Sequence, residues 1–216
     1  MSTDLARPLA GRPAARVIRA LLDFRSVWTT HDLVTTSQIP AQTVRRVIGQ
    51  LEQEALVERR APGVIAVPNW FALLRRWSDD VRFTRDAQLT CWRAKAGIQA
   101  LLDHIPATPV SHSISGVRAA QHWARDTPAG PTIIYTPNAR AAAAAWDLIP
   151  ATSRSIILAE PPSDVVYARP RKTPTGLRLA APAQVLTDLL TGAAASPTAA
   201  HPLLTWMQDN ELQWRY

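Results

Sequence analysis

"AQTVRRVIGQLEQEALVERRAPG", residues 41–63, is the stretch that decides how the N-terminal part folds. Its apolar residues Val44, Val47, Ile48, Leu51 and Ala55 recur at helical spacing, which predicts an amphipathic helix from about Pro40 to Glu54. Pro40 cannot sit inside a helix but can begin one. "LVERR" and "VIAVP" then flank Ala61-Pro62-Gly63, a turn-forming sequence, and predict a β-hairpin. Two arginine pairs, Arg45–Arg46 and Arg59–Arg60, lie on the predicted helix and hairpin, with acids, amides and apolar residues between them.

Working outward, "PAARVIRALLDF" at 13–24 places Val17, Ile18, Leu21 and Leu22 on one helical face, with Pro13 in the first turn. Thr29 or Thr30 can cap a short second helix, "HDLVTTSQ", with Leu33 and Val34 facing inward. Helix, helix, turn, helix, hairpin is the order of a winged helix-turn-helix. Trp70, Phe71, Leu73, Leu74 and Trp77 predict one more amphipathic helix, and a boundary near "WSDDVR", 77–82, divides the chain into 1–80 and 81–216.

The second part opens with a predicted helical stretch over 85–104. "VSHSIS", "GPTIIYT", "RSIILAE", "DVVYARP" and "GLRLAAP" then read as strands around helices at 116–126 and 138–148. Two closing helices are expected at about 182–192 and 197–210. The expected class is α+β, a winged helix-turn-helix followed by a mixed α/β domain.

Hydrophobic residues make up 47% of the 216 and charged residues 19%, a globular rather than disordered balance. The formal net charge of +7 favours a polyanionic partner such as nucleic acid. That charge is not concentrated in one part: residues 1–80 carry net +3 and residues 81–216 net +4. A single cysteine, Cys91, excludes an internal disulfide framework and a Cys-rich zinc site. "MSTDLARPLAGRP" has no apolar core of a secretory signal, and no apolar run approaches the length of a membrane span. A cytoplasmic, nucleoid-associated protein with no membrane partner is expected.

In a helix-turn-helix the early residues of the presented helix reach base edges. Gln42, Thr43, Arg45, Arg46 and Gln50 lie opposite the apolar stripe and suit that task. Arginine can bond bidentately to guanine, glutamine can pair with adenine, and threonine can meet a phosphate or a thymine methyl. Residues 33–51 contain no acid; acids resume at Glu52 and Glu54. Arg59 and Arg60 fall where a wing would lean on the DNA backbone and supply grip without sequence preference. Arg12, Arg16 and Arg19 could add phosphate contacts. The competing reading takes all of these as ordinary solvated charges, and a winged helix can also serve as a protein-interaction module.

No catalytic residue, metal or cofactor is expected. His31, His104, His112, His122 and His201 show neither HxxxH nor HExxH spacing, and no GxSxG, Walker A or GxGxxG sequence occurs. Ser115-Gly116 before a helix resembles a nucleotidyltransferase opening, but no paired carboxylates follow. Asp126 and Asp147 are isolated, and Glu160 and Asp164 are separated by a Pro-Pro loop. Of the eight tryptophans, Trp70, Trp77, Trp123, Trp146 and Trp206 sit in apolar helical patterns and read as core.

"SISGVRAAQHWA", "PTIIYTPNA", "IILAEPPSDVVYARP", "GLRLAAPAQVLTDLLTG" and "SPTAAHPLLTWM" occur in an order that resembles AbiEi-type antitoxins of type IV toxin–antitoxin systems. The actinobacterial branch, in which a winged helix precedes this domain, is the nearest likeness, over about residues 13–210. The resemblance implies a transcriptional regulator that represses its own operon by binding inverted repeats in double-stranded DNA. It implies a C-terminal domain countering a nucleotidyltransferase-type toxin, functionally rather than necessarily by physical contact. A homodimer is expected because helix-turn-helix proteins often read two half-sites. Two other readings stand beside it: a toxin-neutralising or protein-interaction module whose winged helix is architectural, and a nucleotidyltransferase-like enzyme.

Overall fold

Pro13 in the first turn and the buried stripe Val17, Ile18, Leu21 and Leu22 make the first helix, α1, Arg12–Asp23. The computed structural model describes residues 9, 11–24, 27–80, 87–192 and 195–216. These fall into two units, Met1–Arg82 with Arg215–Tyr216, and Phe83–Trp214.

In the first unit α1 is followed by α2, Thr30–Ser37, and α3, Ala41–Gln53. A hairpin of β1, Glu58–Ala61, and β2, Val64–Ala66, comes next, then α4, Trp70–Asp80. A capping box starts α2: the Asp32 amide donates to Thr29 Oγ1 at 3.1 Å, and the Thr29 amide donates to Asp32 Oδ2 at 3.0 Å. The hydrogen bonds from Thr29 hold the Asp32 carboxyl below its usual pKa. Gln38 then turns the chain in a left-handed conformation, φ 55°, and Pro40 stands at the entry to α3. Trp28, between α1 and α2, exchanges backbone hydrogen bonds with Ile65 of β2 at 2.7 Å each way and so lengthens the hairpin sheet by one bridge.

Val44, Val47, Ile48 and Leu51 of α3 are buried with Leu33 of α2 and Leu73 and Trp77 of α4. Ala55, expected on the α3 stripe, is instead exposed at φ 55°, because the helix has already ended at Gln53. Val34 is only half-buried. Arg19 lies inside, 2% exposed, with Nε 3.0 Å and Nη2 2.8 Å from Asp23 Oδ2 one turn on. The last turn of α1 has no basic residue of its own. Arg215 supplies one: its guanidinium, 5% exposed, donates to the carbonyls of Leu22, Leu21 and Phe24 at 2.8, 3.0 and 3.0 Å. These are carbonyls that a helix end leaves without partners, and a cation there also meets the negative end of the dipole.

The second unit, like the chain as a whole, mixes helix and sheet, and the class is α+β. Its elements begin with β3, Gln88–Ala94, α5, Gly97–His104, β4, Ser113–Ser115, and α6, Gly116–Trp123. There follow β5, Thr132–Tyr135, α7, Ala139–Ala145, β6, Leu148–Pro150, and β7, Ile156–Glu160. The short pair β8, Arg171–Lys172, and β9, Arg178–Leu179, precedes α8, Pro182–Thr191, α9, Pro197–Asp209, and α10, Glu211–Trp214. The strands form one mixed sheet in the order β6-β3-β7-β5-β4-β9-β8, with β5–β7 and β4–β9 parallel and the other neighbours antiparallel. Every residue of β4 and β5 is buried, so both sheet faces are covered there.

Two expectations are corrected. The stretch expected to be helical over 85–104 is helical only from Gly97; Gln88–Ala94 is a strand between β6 and β7, and residues 85 and 86 lie outside the described residues. "DVVYARP" is not a strand, since Asp164–Tyr167 forms a 3₁₀ turn with Val165 and Val166 buried.

A polar cluster sits in the core of this unit. Asp188 of α8, 2% exposed, accepts from Ser115 Oγ at 2.5 Å, Tyr135 Oη at 2.8 Å and Gln184 Nε2 at 3.0 Å. Ser115, Tyr135 and Gln184 are themselves fully buried. Burial first, and the Asp188 carboxylate second, push the Tyr135 phenol well above its ordinary pKa, so it stays a donor. Its folded-state pKa being raised, this contribution to stability is lost as pH climbs past about 10, where the unfolded chain's tyrosine ionises.

Replacing Asp188 with Ala strands three buried donors and is expected to lower stability by about 3 kcal/mol or more. Urea denaturation of the full chain measures it, and an unchanged midpoint would remove the cluster from the structural account. Arg215→Ala is expected to cost on the order of 2 kcal/mol by the same measurement, since a charged donor to three carbonyls is lost.

Candidate nucleic-acid interface

The buried stripe of α3 leaves its opposite face to solvent. Gln42, Arg46 and Gln50 follow one another at one-turn steps along that face, and Arg45 flanks them. Gln42, Arg45 and Arg46 are exposed; Thr43 and Gln50 are half-buried. Among the described residues neither Arg45 nor Arg46 makes an ion pair or hydrogen bond, whereas Gln50 Nε2 donates to Glu54 Oε1 at 3.3 Å. With no side-chain cap at Pro40, the first turn of α3 opens to solvent beside these residues.

Arg59 and Arg60 are exposed on β1 but engaged. Arg59 Nε lies 3.1 Å from both oxygens of Glu52, and Arg60 Nε lies 2.6 Å from Glu58 Oε1. The acids that close α3 are thus tied up locally: Glu52 by Arg59, and Glu54 by Arg76, which also reaches Asp80 at 2.7 Å. Net charge on this face is carried by the two arginines that the helix holds away from any acid.

Other sequence-derived candidates are placed differently. Arg19 cannot meet a phosphate, being buried against Asp23; Arg12 is exposed and Arg16 half-buried. Ser115 and Gly116 are internal, Ser115 serving Asp188. Gly116 adopts φ 69°, and a Cβ there would meet the Pro131 carbonyl at 3.2 Å, which explains the glycine. Glu160 accepts from the Ala139 amide at 2.7 Å, Asp147 pairs with Lys95 at 2.6 Å, and Asp126 is exposed. No cluster of His, Cys, Asp and Glu able to hold a metal occurs among the described residues. Trp70, Trp77 and Trp146 are buried, while Trp123 and Trp206 are half-buried and stacked with centroids 5.9 Å apart.

His112 is the one buried histidine among those described. Its Nδ1 lies 3.0 Å from the Val110 carbonyl and its Nε2 accepts the Arg178 amide at 3.3 Å, which fixes the neutral tautomer protonated at Nδ1. Burial, reinforced by the nearby Arg178 charge and opposed by the Val110 hydrogen bond, depresses its pKa. His122 is depressed by burial as well.

Comparison of the chain with protein-family models, with curated proteins and with solved structures gives no match. Among the described residues no helix is long and apolar enough to cross a membrane.

Two measurements follow from this geometry. Arg45→Ala and Arg46→Ala, which break no contact, should leave stability within about 0.5 kcal/mol, whereas Arg19→Ala strands a buried Asp23 and should cost about 3 kcal/mol or more. A histidine held neutral by a depressed pKa contributes stability above its unfolded value, lost as pH falls below about 6.5. The urea midpoint should therefore drop on mild acidification, and His112→Gln should flatten that drop. An equal drop in the variant would remove His112 as its source.

Proposed function

We propose that the first unit is a winged helix-turn-helix and that the protein is a DNA-binding transcriptional regulator, an autorepressor of antitoxin type. The observation that carries this reading is the solvent face of α3, where Arg45 and Arg46 stand without partners among the described residues on an acid-free stretch. Supporting it are the order α1, α2, left-handed turn, α3, hairpin, and the Trp28–Ile65 bridge that ties the hairpin to the segment between α1 and α2. α3 enters the major groove, with Gln42, Thr43, Arg45, Arg46 and Gln50 toward base edges. The hairpin lies along the backbone, where Arg59 and Arg60 meet phosphates. A homodimer on an inverted repeat provides two half-sites. The resemblance to AbiEi-type antitoxins assigns the second unit to countering a nucleotidyltransferase-type toxin, and the reading assigns it no catalytic step: Ser115 and Glu160 are used internally and Asp147 is paired with Lys95.

The wing arginines behave differently from the helix pair because each already holds an anion. Arg59 must share or leave Glu52 to grip a phosphate, so part of its Coulomb gain is exchanged rather than added.

A mobility-shift titration against the upstream region of the protein's own gene tests the proposal. Arg45→Ala with Arg46→Ala should reduce operator affinity by about tenfold or more and relax sequence preference. Arg59→Ala should weaken all sequences alike and lower the salt slope by about one. Glu52→Gln should tighten binding about two- to fivefold, by releasing Arg59 and removing an acid from the backbone path. Binding unaffected by the double arginine variant would overturn the residue assignment. Absence of DNA binding, with a toxin countered by the same chain, would favour the interaction-module reading.

A further inference from the structure

A cleft of about 530 Å³ opens in the second unit at the ends of β3, β5 and β7, beside the N-terminus of α5 and one face of α6. Among the described residues its charged lining is Arg93 and Arg118, with no acid. Arg93 is exposed at the end of β3 and has no ion-pair or hydrogen-bond partner among the described residues. Arg118, half-buried on α6, is aimed by Gln99, whose Oε1 accepts from Nη2 at 2.6 Å. Two like charges share one concave space, with no counter-charge in its walls among the described residues.

Two further features point the same way. The N-terminus of α5 has Ala96 as its N-cap, with no side-chain hydrogen bond, and Gly97 and Ile98 line the cleft. The amides of a helix's first turn have no intrahelical acceptor and favour an anion. Thr132, 3% exposed, also lines the cleft, and its hydroxyl has no hydrogen-bond partner among the described residues. That hydroxyl is not sealed from the cleft and can donate to an anion there. Between these polar groups the wall is apolar, from Ile98, Ile156 and Ala129.

We infer that this cleft binds a small organic phosphate of nucleoside-monophosphate size. The phosphate sits between Arg93, Arg118 and the first amides of α5, where guanidinium donors and a helix N-terminus are complementary to its oxygens. The apolar wall takes the body of the ligand, and the volume lies in the range of small-molecule sites. The inference makes no use of α3 and stands independently of DNA binding.

Isothermal titration calorimetry and thermal melting of the full chain with adenosine 5′-monophosphate, inorganic phosphate and adenosine decide it. The nucleotide should bind more tightly than inorganic phosphate and at least about tenfold more tightly than adenosine, and should raise the melting temperature. Arg93→Gln and Arg118→Gln should each weaken nucleotide binding by about tenfold, with the unliganded melting temperature held in the Arg93 variant, which breaks no contact. Failure of both phosphate probes to bind at millimolar concentration, or affinity unchanged in both variants, would overturn the anion site. Nucleotide binding no tighter than inorganic phosphate would overturn the ligand's size class.

Discussion

Asp188 is a carboxylate out of water on the helix that underlies β4 and β5, and such a group is tolerated only when hydrogen bonds replace its hydration. Three donors from three elements do so: Ser115 at the end of β4, Tyr135 at the end of β5 and Gln184 one turn earlier on α8. Each donor is directional, so the cluster sets not only that α8 packs on the sheet but at which register along it. An apolar contact of equal area would allow α8 to slide; a shared carboxylate does not. β5 also reaches the Arg93–Arg118 cleft through Thr132, beside α6 and the ends of β3 and β7.

The first unit uses buried charge in a comparable way. Arg19 and Asp23 close on each other inside α1, and Arg215 closes the carbonyl end of that helix. α3 packs on α1 and α2, so these internal contacts support the surface that α3 presents. Outside, acids and bases are partitioned with few left over. Glu52, Glu54 and Glu58 each hold an arginine, and the early turns of α3 keep theirs unspent.

Much of the first unit was readable from apolar period alone. Val44, Val47, Ile48 and Leu51 bury as their spacing requires, and Thr29 three residues before Asp32 is a capping pair visible in sequence. Arg19 was misplaced as a surface cation, although Asp23 at i+4 beside Leu21 and Leu22 was the available signal. Gln88–Ala94 escaped notice although its burial alternates with a single slip at Cys91–Trp92: the strand is short of fully buried residues, with Leu89, Cys91, Trp92 and Ala94 only half-buried, so its apolar signal is weak. "DVVY" has strand composition but turns after Ser163, because burying Val165 and Val166 needs only a single 3₁₀ turn. Asp188 within the otherwise apolar "QVLTDLL" hinted at a buried polar contact, but its partners at 115 and 135 are set by tertiary pairing. Arg93 and Arg118 likewise meet only through the fold.

The closure of α1 by Arg215 has a consequence in time. α1 leaves the ribosome before the donor for its final carbonyls, which lies 194 residues downstream of Leu21. At ordinary rates of synthesis that interval is roughly ten to forty seconds. During it the helix end that the finished protein seals stands open, and α1 is completed only once Arg215 has been made.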